Sequence, residues 1–219
     1  METVSASISP AQRRVLEALK RIGEATADEL AGTLEISSSA LRQHLSALRS
    51  AGLIAAHQER GQPGRPAHHY RATEGTEQLF VTAANTLSIE LLGHIHEEDP
   101  GLVNRIFERR RRDQVEAVRD GLSAKSVDER VLHLTELFDA QGYLADCETL
   151  DPNHHRINLH SCPIWAVASQ YPQACSNELE FLRELLPEAN VERVTHKTAG
   201  AHSCAYEICV QDRGHRADR

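Results

Sequence analysis

The chain has 219 residues, a net charge of −8 and 40% hydrophobic residues, which excludes a disordered protein and leaves room for one large or two small domains. The acidic balance excludes a surface that binds nucleic acid everywhere, so any DNA contact must rely on a local basic patch. No stretch approaches the roughly eighteen apolar residues of a membrane span, and no signal peptide opens the chain. We therefore expect a soluble, cytoplasmic protein with no membrane partner.

Two short helices are predicted ahead of residue 36. The first begins at Pro10, because the fixed φ of proline suits a first helical turn. Its apolar face consists of Val15, Leu16, Leu19 and Ile22. The second follows Thr26, which forms a capping box with Glu29. The chain then turns at residues 32–36 into a third helix, and this spacing predicts a helix-turn-helix unit.

The third predicted helix, within residues 37–54, has two different faces. An apolar stripe at helical spacing is formed by Leu41, Leu45 and Leu48. Ser37 is placed to cap its start, and Gly52 can adopt the left-handed conformation that ends it. The opposite face carries groups that can hydrogen-bond phosphates and base edges in a major groove, namely Ser38, Ser39, Arg42, Gln43 and Ser46. We interpret this segment as a DNA recognition helix.

Two short strands are predicted next, at residues 52–57 and 68–72, around a loop rich in Gly and Pro. This pattern predicts the wing of a winged helix. Arg60 and Arg65 in the loop could contact phosphates or enter an adjacent minor groove. The alternative is a solvated hairpin whose arginines have no specific role.

These first seventy-odd residues resemble a known family. The matching residues are Ser39-Ala40-Leu41-Arg42-Gln43-His44-Leu45, Gly52-Leu53-Ile54, Gly64-Arg65-Pro66-Ala67 and Tyr70. Together they are similar to winged-helix regulators related to the ArsR and MarR groups, in particular the SufR-type repressors of iron-sulfur cluster biogenesis. The resemblance implies a repressor that binds double-stranded operator DNA.

A helical segment is predicted over residues 76–141. An apolar stripe with a helical period runs through Phe80, Ala84, Leu87, Leu91 and Ile95. Such a helix directly after a wing usually packs against its twin, so we expect a homodimer. The alternative is that the stripe is buried within its own domain.

Two further helices are predicted at residues 102–122 and 127–141. The inward-facing residues predicted for the first helix are Leu102, Ile106, Val115, Val118 and Leu122. Its basic run at residues 109–112 is expected to be a solvated face, with DNA contact or pairing with nearby acidic residues as alternatives.

Strand signals dominate the remainder, at residues 143–150, 156–160, 191–196 and 203–210, with helices beginning at residues 163 and 176. The predicted fold class is therefore α+β. Residues 1–75 form a winged helix-turn-helix domain, residues 76–141 a helical dimerisation region, and residues 142–219 a C-terminal α+β sensor domain.

Five cysteines lie in this last part: Cys147, Cys162, Cys175, Cys204 and Cys209. In a reducing compartment such thiols more often bind metal or respond to oxidants than form structural disulfides. No CxxC pair is present, which excludes a compact zinc knuckle. Cys162, Cys175 and Cys204 lie at predicted element boundaries, where helix N-termini favour the thiolate. Cys147 and Cys209 are predicted to be strand residues, with Cys209 on the face opposite to Cys204.

The cysteine segments carry a second resemblance to the SufR-type repressors. They are Leu159-His160-Ser161-Cys162-Pro163, Tyr171-Pro172-Gln173-Ala174-Cys175 and Gly200-Ala201-His202-Ser203-Cys204. The resemblance implies an iron-sulfur cluster on Cys162, Cys175 and Cys204, with a 4Fe-4S cluster favoured over a 2Fe-2S cluster, and control of iron-sulfur assembly (suf) genes. Some family members have a further cysteine between the last two, and this chain has none. Histidine can replace a cysteine ligand, so His160 is the candidate fourth ligand, with His202 and Cys147 as alternatives.

Other classes of function remain open. The same cysteines could sense thiol oxidation or bind zinc. No phosphate-binding loop, dinucleotide motif or suggestive Ser-His-Asp arrangement is found in the sequence, so we do not expect an enzyme.

Overall fold

The computed structural model describes residues 8–58, 68–78 and 83–210. Its internal contacts divide the chain into two compact units, Met1–Val81 and Thr82–Arg219, which we call unit 1 and unit 2. Each unit combines helices with an antiparallel sheet, which confirms the predicted α+β class. None of the helices in the described part is both long and apolar enough to cross a membrane.

Unit 1 consists of short helices and a small sheet. Its helices are α1 (Pro10–Ile22), α2 (Ala27–Leu34), α3 (Ser38–Ser50) and α4 (Glu74–Gln78). Its strands are β1 (Glu24–Thr26), β2 (Ile54–Gln58) and β3 (His68–Ala72), arranged in the order β1-β3-β2. The pairing of β2 with β3 confirms the two predicted strands. Strand β1 was not predicted, because a three-residue strand that pairs with β3 across the unit leaves almost no local pattern.

Local sequence signals account for the helix ends of unit 1. The backbone N–H of Thr26 donates to Glu29 Oε2 over 2.7 Å, as the predicted capping box requires. Ser37 caps α3 by accepting from the backbone N–H of Ala40, and Gly52 has the positive φ of +74° that ends the turn after α3. Ile22 contradicts its predicted inward position, since it is 46% exposed at the last residue of α1.

Unit 2 contains longer helices and a four-stranded sheet. Its helices are α5 (Ala83–Glu98), α6 (Pro100–Leu122), α7 (Val127–Ala140), α8 (Trp165–Ala168) and α9 (Gln173–Leu185). Its strands are β4 (Ala145–Asp151), β5 (His154–Leu159), β6 (Ala189–Thr195) and β7 (Cys204–Val210). The strand order is β4-β5-β7-β6, and every pairing is antiparallel.

The helices of the predicted central region pack onto this sheet. Leu134 and Phe138 of α7 belong to the same buried cluster as Ile157 of β5 and Tyr206 of β7. Residues 76–141 are therefore not a compact unit separate from residues 142–219. The predicted inward position of Leu102 is wrong, because α6 buries the next residue, Val103, and leaves Leu102 36% exposed.

The basic run on α6 is not simply a solvated face. Arg111 donates to Asn177 Oδ1 over 3.1 Å and forms an ion pair with Glu184, and both partners lie on α9. The Arg111 side chain is only 18% exposed. This arginine therefore fastens α6 to α9, and its partners lie far along the chain from the acidic neighbours that sequence reasoning considered.

Two leucines on α7 provide a test of this packing. Leu134 is fully buried, whereas Leu132 on the same helix is 56% exposed. We expect Leu134→Ala to lower the free energy of unfolding by about 2–5 kcal/mol, because it removes buried methyl groups and leaves a cavity. Leu132→Ala should change it by less than about 0.5 kcal/mol. Urea unfolding followed by circular dichroism measures both, and equal losses would contradict the packing described here.

Candidate nucleic-acid interface and cysteine site

Helix α3 presents the predicted contact face to solvent. Its leucine stripe is buried, with Leu41, Leu45 and Leu48 each 2% exposed or less. On the other side, Ser39, Arg42, Gln43 and Ser46 are exposed and Ser38 is half-buried. The side chains predicted to reach DNA therefore share one accessible surface.

Asp28 is a residue of this surface that sequence reasoning missed. Ser38 Oγ donates to Asp28 Oδ1 over 3.2 Å, and a guanidinium nitrogen of Arg42 lies 4.0 Å from the same oxygen. Asp28 stands in the first turn of α2, where a carboxylate is favoured by the helix dipole. It holds two predicted contact residues, although an ion pair this exposed contributes little stability.

The strands of the predicted wing are present, but the tip of its loop is not part of the described structure. Strands β2 and β3 pair from Ile54 opposite Ala72 to Gln58 opposite His68. Arg60 and Arg65 lie outside the described residues. Their role in DNA contact therefore stays a prediction.

The three cysteines of the predicted cluster site come from three different segments of unit 2. Cys162 lies in the loop after β5, Cys175 is the third residue of α9, and Cys204 is the first residue of β7. The antiparallel register sets Leu159, at the end of β5, opposite Cys204. The chain that leaves β5 toward Cys162 therefore starts beside Cys204.

A single turn contacts two of the three sulfur atoms. The turn is the 3-10 segment Lys197–Ala199 between β6 and β7. The backbone N–H of Lys197 donates to Cys204 Sγ over 3.3 Å. The hydroxyl of the next residue, Thr198, lies 2.9 Å from His196 Nε2 and interacts with the Cys175 thiol, whose pKa it lowers. The third sulfur, that of Cys162, is hydrogen-bonded by the backbone N–H of Ile164. Each of the three sulfurs therefore has a donor that would stabilise a thiolate.

The three thiols are close enough to influence one another electrostatically. Burial, the Glu178 carboxylate and the other two thiols raise the pKa of Cys162, in that order. The pKa of Cys175 is raised by burial and then by Glu178. Burial raises the pKa of Cys204 to about 11, although the bond from Lys197 opposes the shift. The expectation that helix N-termini favour the thiolate is therefore wrong for these positions before a metal binds, because burial outweighs the helix.

Glu178 is the second residue that sequence reasoning missed. It lies one helical turn after Cys175, and Tyr206 donates its phenolic hydrogen to Glu178 Oε1 over 2.5 Å. Tyr143 forms a second hydrogen bond to the same carboxylate. Burial is the main cause that raises the pKa of Glu178, and the bonds from the two tyrosines oppose it. The i, i+3 spacing from Cys175 was a signal that could have pointed to this residue.

The structure does not bring His160 together with the thiols. Its Nε2 lies 2.5 Å from Asp146 Oδ2, and Asp146 stands between Ala145 and Cys147, which pack into the core on the helix-covered face of the sheet. Asp146 and the ring of His160 therefore lie toward the other face. Nδ1 of His160 is buried without a hydrogen-bond partner in the described structure. The predicted alternative ligand His202 is close to this group, with its ring centroid 6.4 Å from that of His160.

The two remaining cysteines are strand residues, as predicted. Cys147 on β4 hydrogen-bonds Thr135 of α7 and packs against the core of the unit. Cys209 is exposed on β7, where alternation turns it away from the face of Cys204 and Tyr206.

The arrangement of the thiols and neighbouring side chains bears on whether they could hold a single metal ion or a cluster. Within residues 8–58, 68–78 and 83–210, no three His, Cys, Asp or Glu side chains are arranged to hold one metal ion. In a 4Fe-4S cluster each thiolate binds its own iron atom, so the ligands lie farther apart than around a single ion. Thiolates are ligands that iron-sulfur clusters use, so the three thiols fit such a group by their chemistry.

Comparison with known proteins gives one family match, in unit 1. Residues 9–56 match the family described as bacterial regulatory protein, arsR family. The matched segment contains α1, α2 and α3 and the start of β2. No curated protein gave a match.

Partial similarities to solved structures were also found. The adhesin competence repressor AdcR from Streptococcus pyogenes has 19% identity and a TM-score of 0.31, covering 53% of this chain and 78% of AdcR. A mutant of ZitR from Lactococcus lactis has 19% identity and a TM-score of 0.30, covering 57% of this chain and 77% of ZitR. PadR from Bacillus subtilis, solved in complex with operator DNA, has 12% identity and a TM-score of 0.30, covering 82% of this chain and 94% of PadR.

Residues 9–56 of unit 1 therefore match the DNA-binding helix-turn-helix domain of arsR-family regulators. The family match covers its three helices, and the β2–β3 pair that follows has the position of a wing. The family match does not extend to unit 2.

The thiols differ in accessibility, which can be measured directly. In protein stripped of metal by a chelator, we expect the exposed Cys209 to react with iodoacetamide before Cys162, because burial and neighbouring negative groups hold the Cys162 thiol protonated. Mass spectrometry of the alkylated peptides gives both rates. Equal rates at pH 8 would contradict the burial of Cys162.

Proposed function

We propose that this protein is a transcriptional repressor that binds operator DNA as a homodimer and senses iron-sulfur cluster status through Cys162, Cys175 and Cys204. One observation carries the sensing part: the consecutive residues Lys197 and Thr198 contact the sulfurs of Cys204 and Cys175. The third thiol interacts electrostatically with both.

The DNA-binding part rests on the accessible face of α3. Short hydroxyls, one amide and one guanidinium can hydrogen-bond base edges and phosphates when the helix enters a major groove. Arg42 is the residue suited to bidentate contact with a guanine. Its ion pair with Asp28 is exposed and weak, so DNA can replace the carboxylate at little cost.

A dimer follows from the geometry of DNA. Two recognition helices reach successive turns of the major groove only when a two-fold axis relates them. Leu87 and Leu91, one turn apart on α5, are 56% and 53% exposed, while Leu92 and Ile95 of the same helix pack within unit 2. The exposed pair supports the proposal that α5 contributes to the dimer contact.

The proposed cluster would connect segments that are otherwise separate. A bound cluster supplies strong iron–thiolate bonds, with 4Fe-4S favoured over 2Fe-2S. Cys162, Cys175 and Cys204 would hold it, and the N–H groups of Lys197 and Ile164 would stabilise their thiolates. Fixing the loop after β5, α9 and β7 to one another would favour one arrangement of the dimer and one spacing of its recognition helices. The resemblance to SufR-type repressors supports iron-sulfur assembly genes as the target.

The same residues support two other sensors less well. A thiol-oxidation sensor needs accessible thiolates of low pKa, and here burial raises the pKa of all three thiols. A zinc site needs ligands that close on one ion, and the described residues offer no such group.

Anaerobic purification tests the cluster directly. We expect brown protein that contains iron and acid-labile sulfide, and loss of both in the Ala variants of Cys162, Cys175 and Cys204, because each variant removes one ligand. Cys147→Ala and Cys209→Ala are matched controls that should keep the colour. Colourless wild-type protein from cells able to build clusters would contradict the proposal.

Arg42 tests direct readout of DNA. We expect Arg42→Ala to weaken operator binding by about 1–3 kcal/mol more than it weakens binding to random DNA, because a base contact is specific and a phosphate contact is not. Fluorescence anisotropy at one fixed salt concentration measures both affinities. Arg14→Ala, an exposed change on α1, is the control. Equal losses on the two DNAs would show that Arg42 contacts phosphate only.

A further inference from the structure

A cluster usually needs four protein ligands, and the three cysteines leave one position open. We propose that the carboxylate of Glu178 is the fourth ligand of the cluster. This inference rests on the function proposed above, since it concerns the same site. It replaces the sequence-based candidate His160 with a residue whose charge raises the pKa of all three thiols.

Glu178 is linked to the segments that carry Cys175 and Cys204. Glu178 and Cys175 are three residues apart on α9, so both side chains lie on the same face of the helix. Tyr206, which donates to the Glu178 carboxylate over 2.5 Å, is two residues after Cys204 and on the same face of β7. The carboxylate is therefore on the side of the sheet where Cys204 points.

Among the described residues no cation hydrogen-bonds the Glu178 carboxylate, although the nearby guanidinium groups of Arg193 and Arg110 lower its pKa. Its hydrogen bonds come from two neutral phenols, those of Tyr206 and Tyr143. The nearby guanidinium of Arg193 donates to the carbonyl oxygen of Cys175 over 2.6 Å and bonds His196, and Arg110 donates to Gln114.

A bound cation would add to the two guanidinium groups that already favour the charged form of the Glu178 carboxylate. The residue keeps some exposed surface, yet withdrawal from water is the main cause that raises the pKa of its carboxyl group. Buried carboxylates in proteins are usually paired or coordinate a metal. Negative charge on Glu178 also disfavours ionisation of each of the three thiols. Iron bound by all four groups would relieve that repulsion, and iron accepts carboxylate oxygen as well as thiolate sulfur.

His160 is the competing donor, because its Nδ1 is buried without a partner among the described residues. Asp146, however, holds its ring toward the face of the sheet opposite to Cys204. Ligation by His160 would require that ring to leave Asp146 and pass the end of β5. The Glu178 side chain already lies on the face of the sheet toward which Cys204 points.

Four variants distinguish these donors. Glu178→Gln removes the ligand and keeps the size of the side chain. Glu178→Cys offers a thiolate in its place but cannot reproduce the carboxylate bonds to the two tyrosines. Glu180→Gln is the matched control, an exposed glutamate two residues along α9. His160→Ala tests the competing donor. Each protein is purified anaerobically, and its iron, sulfide, electron paramagnetic resonance spectrum after reduction, and rate of cluster loss to a chelator are measured.

We expect Glu178→Gln to lose its cluster to the chelator about tenfold faster or more, and His160→Ala and Glu180→Gln to match the wild type. Glu178→Cys should restore the iron content and give a resonance spectrum different from that of the wild type, which a merely structural role for Glu178 would not produce. A wild-type spectrum and cluster lifetime in Glu178→Gln would overturn the inference, as would loss of iron in both Glu178 variants. A wild-type protein without iron and sulfide would overturn the proposed function as well.

Discussion

The register of β5 against β7 is the constraint on which the cysteine site depends. It sets Leu159 opposite Cys204, so that the chain leaves β5 beside Cys204 and reaches Cys162 within three residues. It also directs Cys204 and Tyr206 to the face covered by helices. A shift of one residue would turn every side chain of β7 to the other face. Cys209 would then face the helices, and Cys204 would lose its contact with the turn at Lys197.

The site combines features that have opposite effects on the ionisation of its thiols. Burial and Glu178 keep the thiols protonated, as shown by the raised pKa of Cys162. Backbone N–H groups and one hydroxyl are nevertheless aimed at the sulfurs, where they would stabilise thiolates. When a cation is bound, such a site stabilises thiolates. Without a cation, it favours neutral thiols over reactive thiolates. That property suits a sensor of metal or cluster supply better than a sensor of peroxide.

Unit 1 and unit 2 depend on different kinds of interaction. The acidic overall charge of −8 leaves unit 1 to bind DNA through one helix face, where Asp28 holds Ser38 and Arg42. Unit 2 depends on non-local contacts such as the ion pair between Arg111 and Glu184. Under the proposed function, a cluster in unit 2 would act on operator binding through the arrangement of two copies of the chain.

The sequence by itself determined what short-range physics controls. The capping box of Thr26 and Glu29, the leucine stripe of α3, the paired strands of the wing and the alternation of β7 all depend on residues a few positions apart, and each was predicted. The tertiary structure alone decided that Cys175 and Cys204 share one turn, that Glu178 joins them, that His160 lies toward the other face of the sheet, and that α6 and α7 belong with the sheet. These features depend on strand register and helix packing between residues far apart in the chain, which a local sequence pattern does not encode.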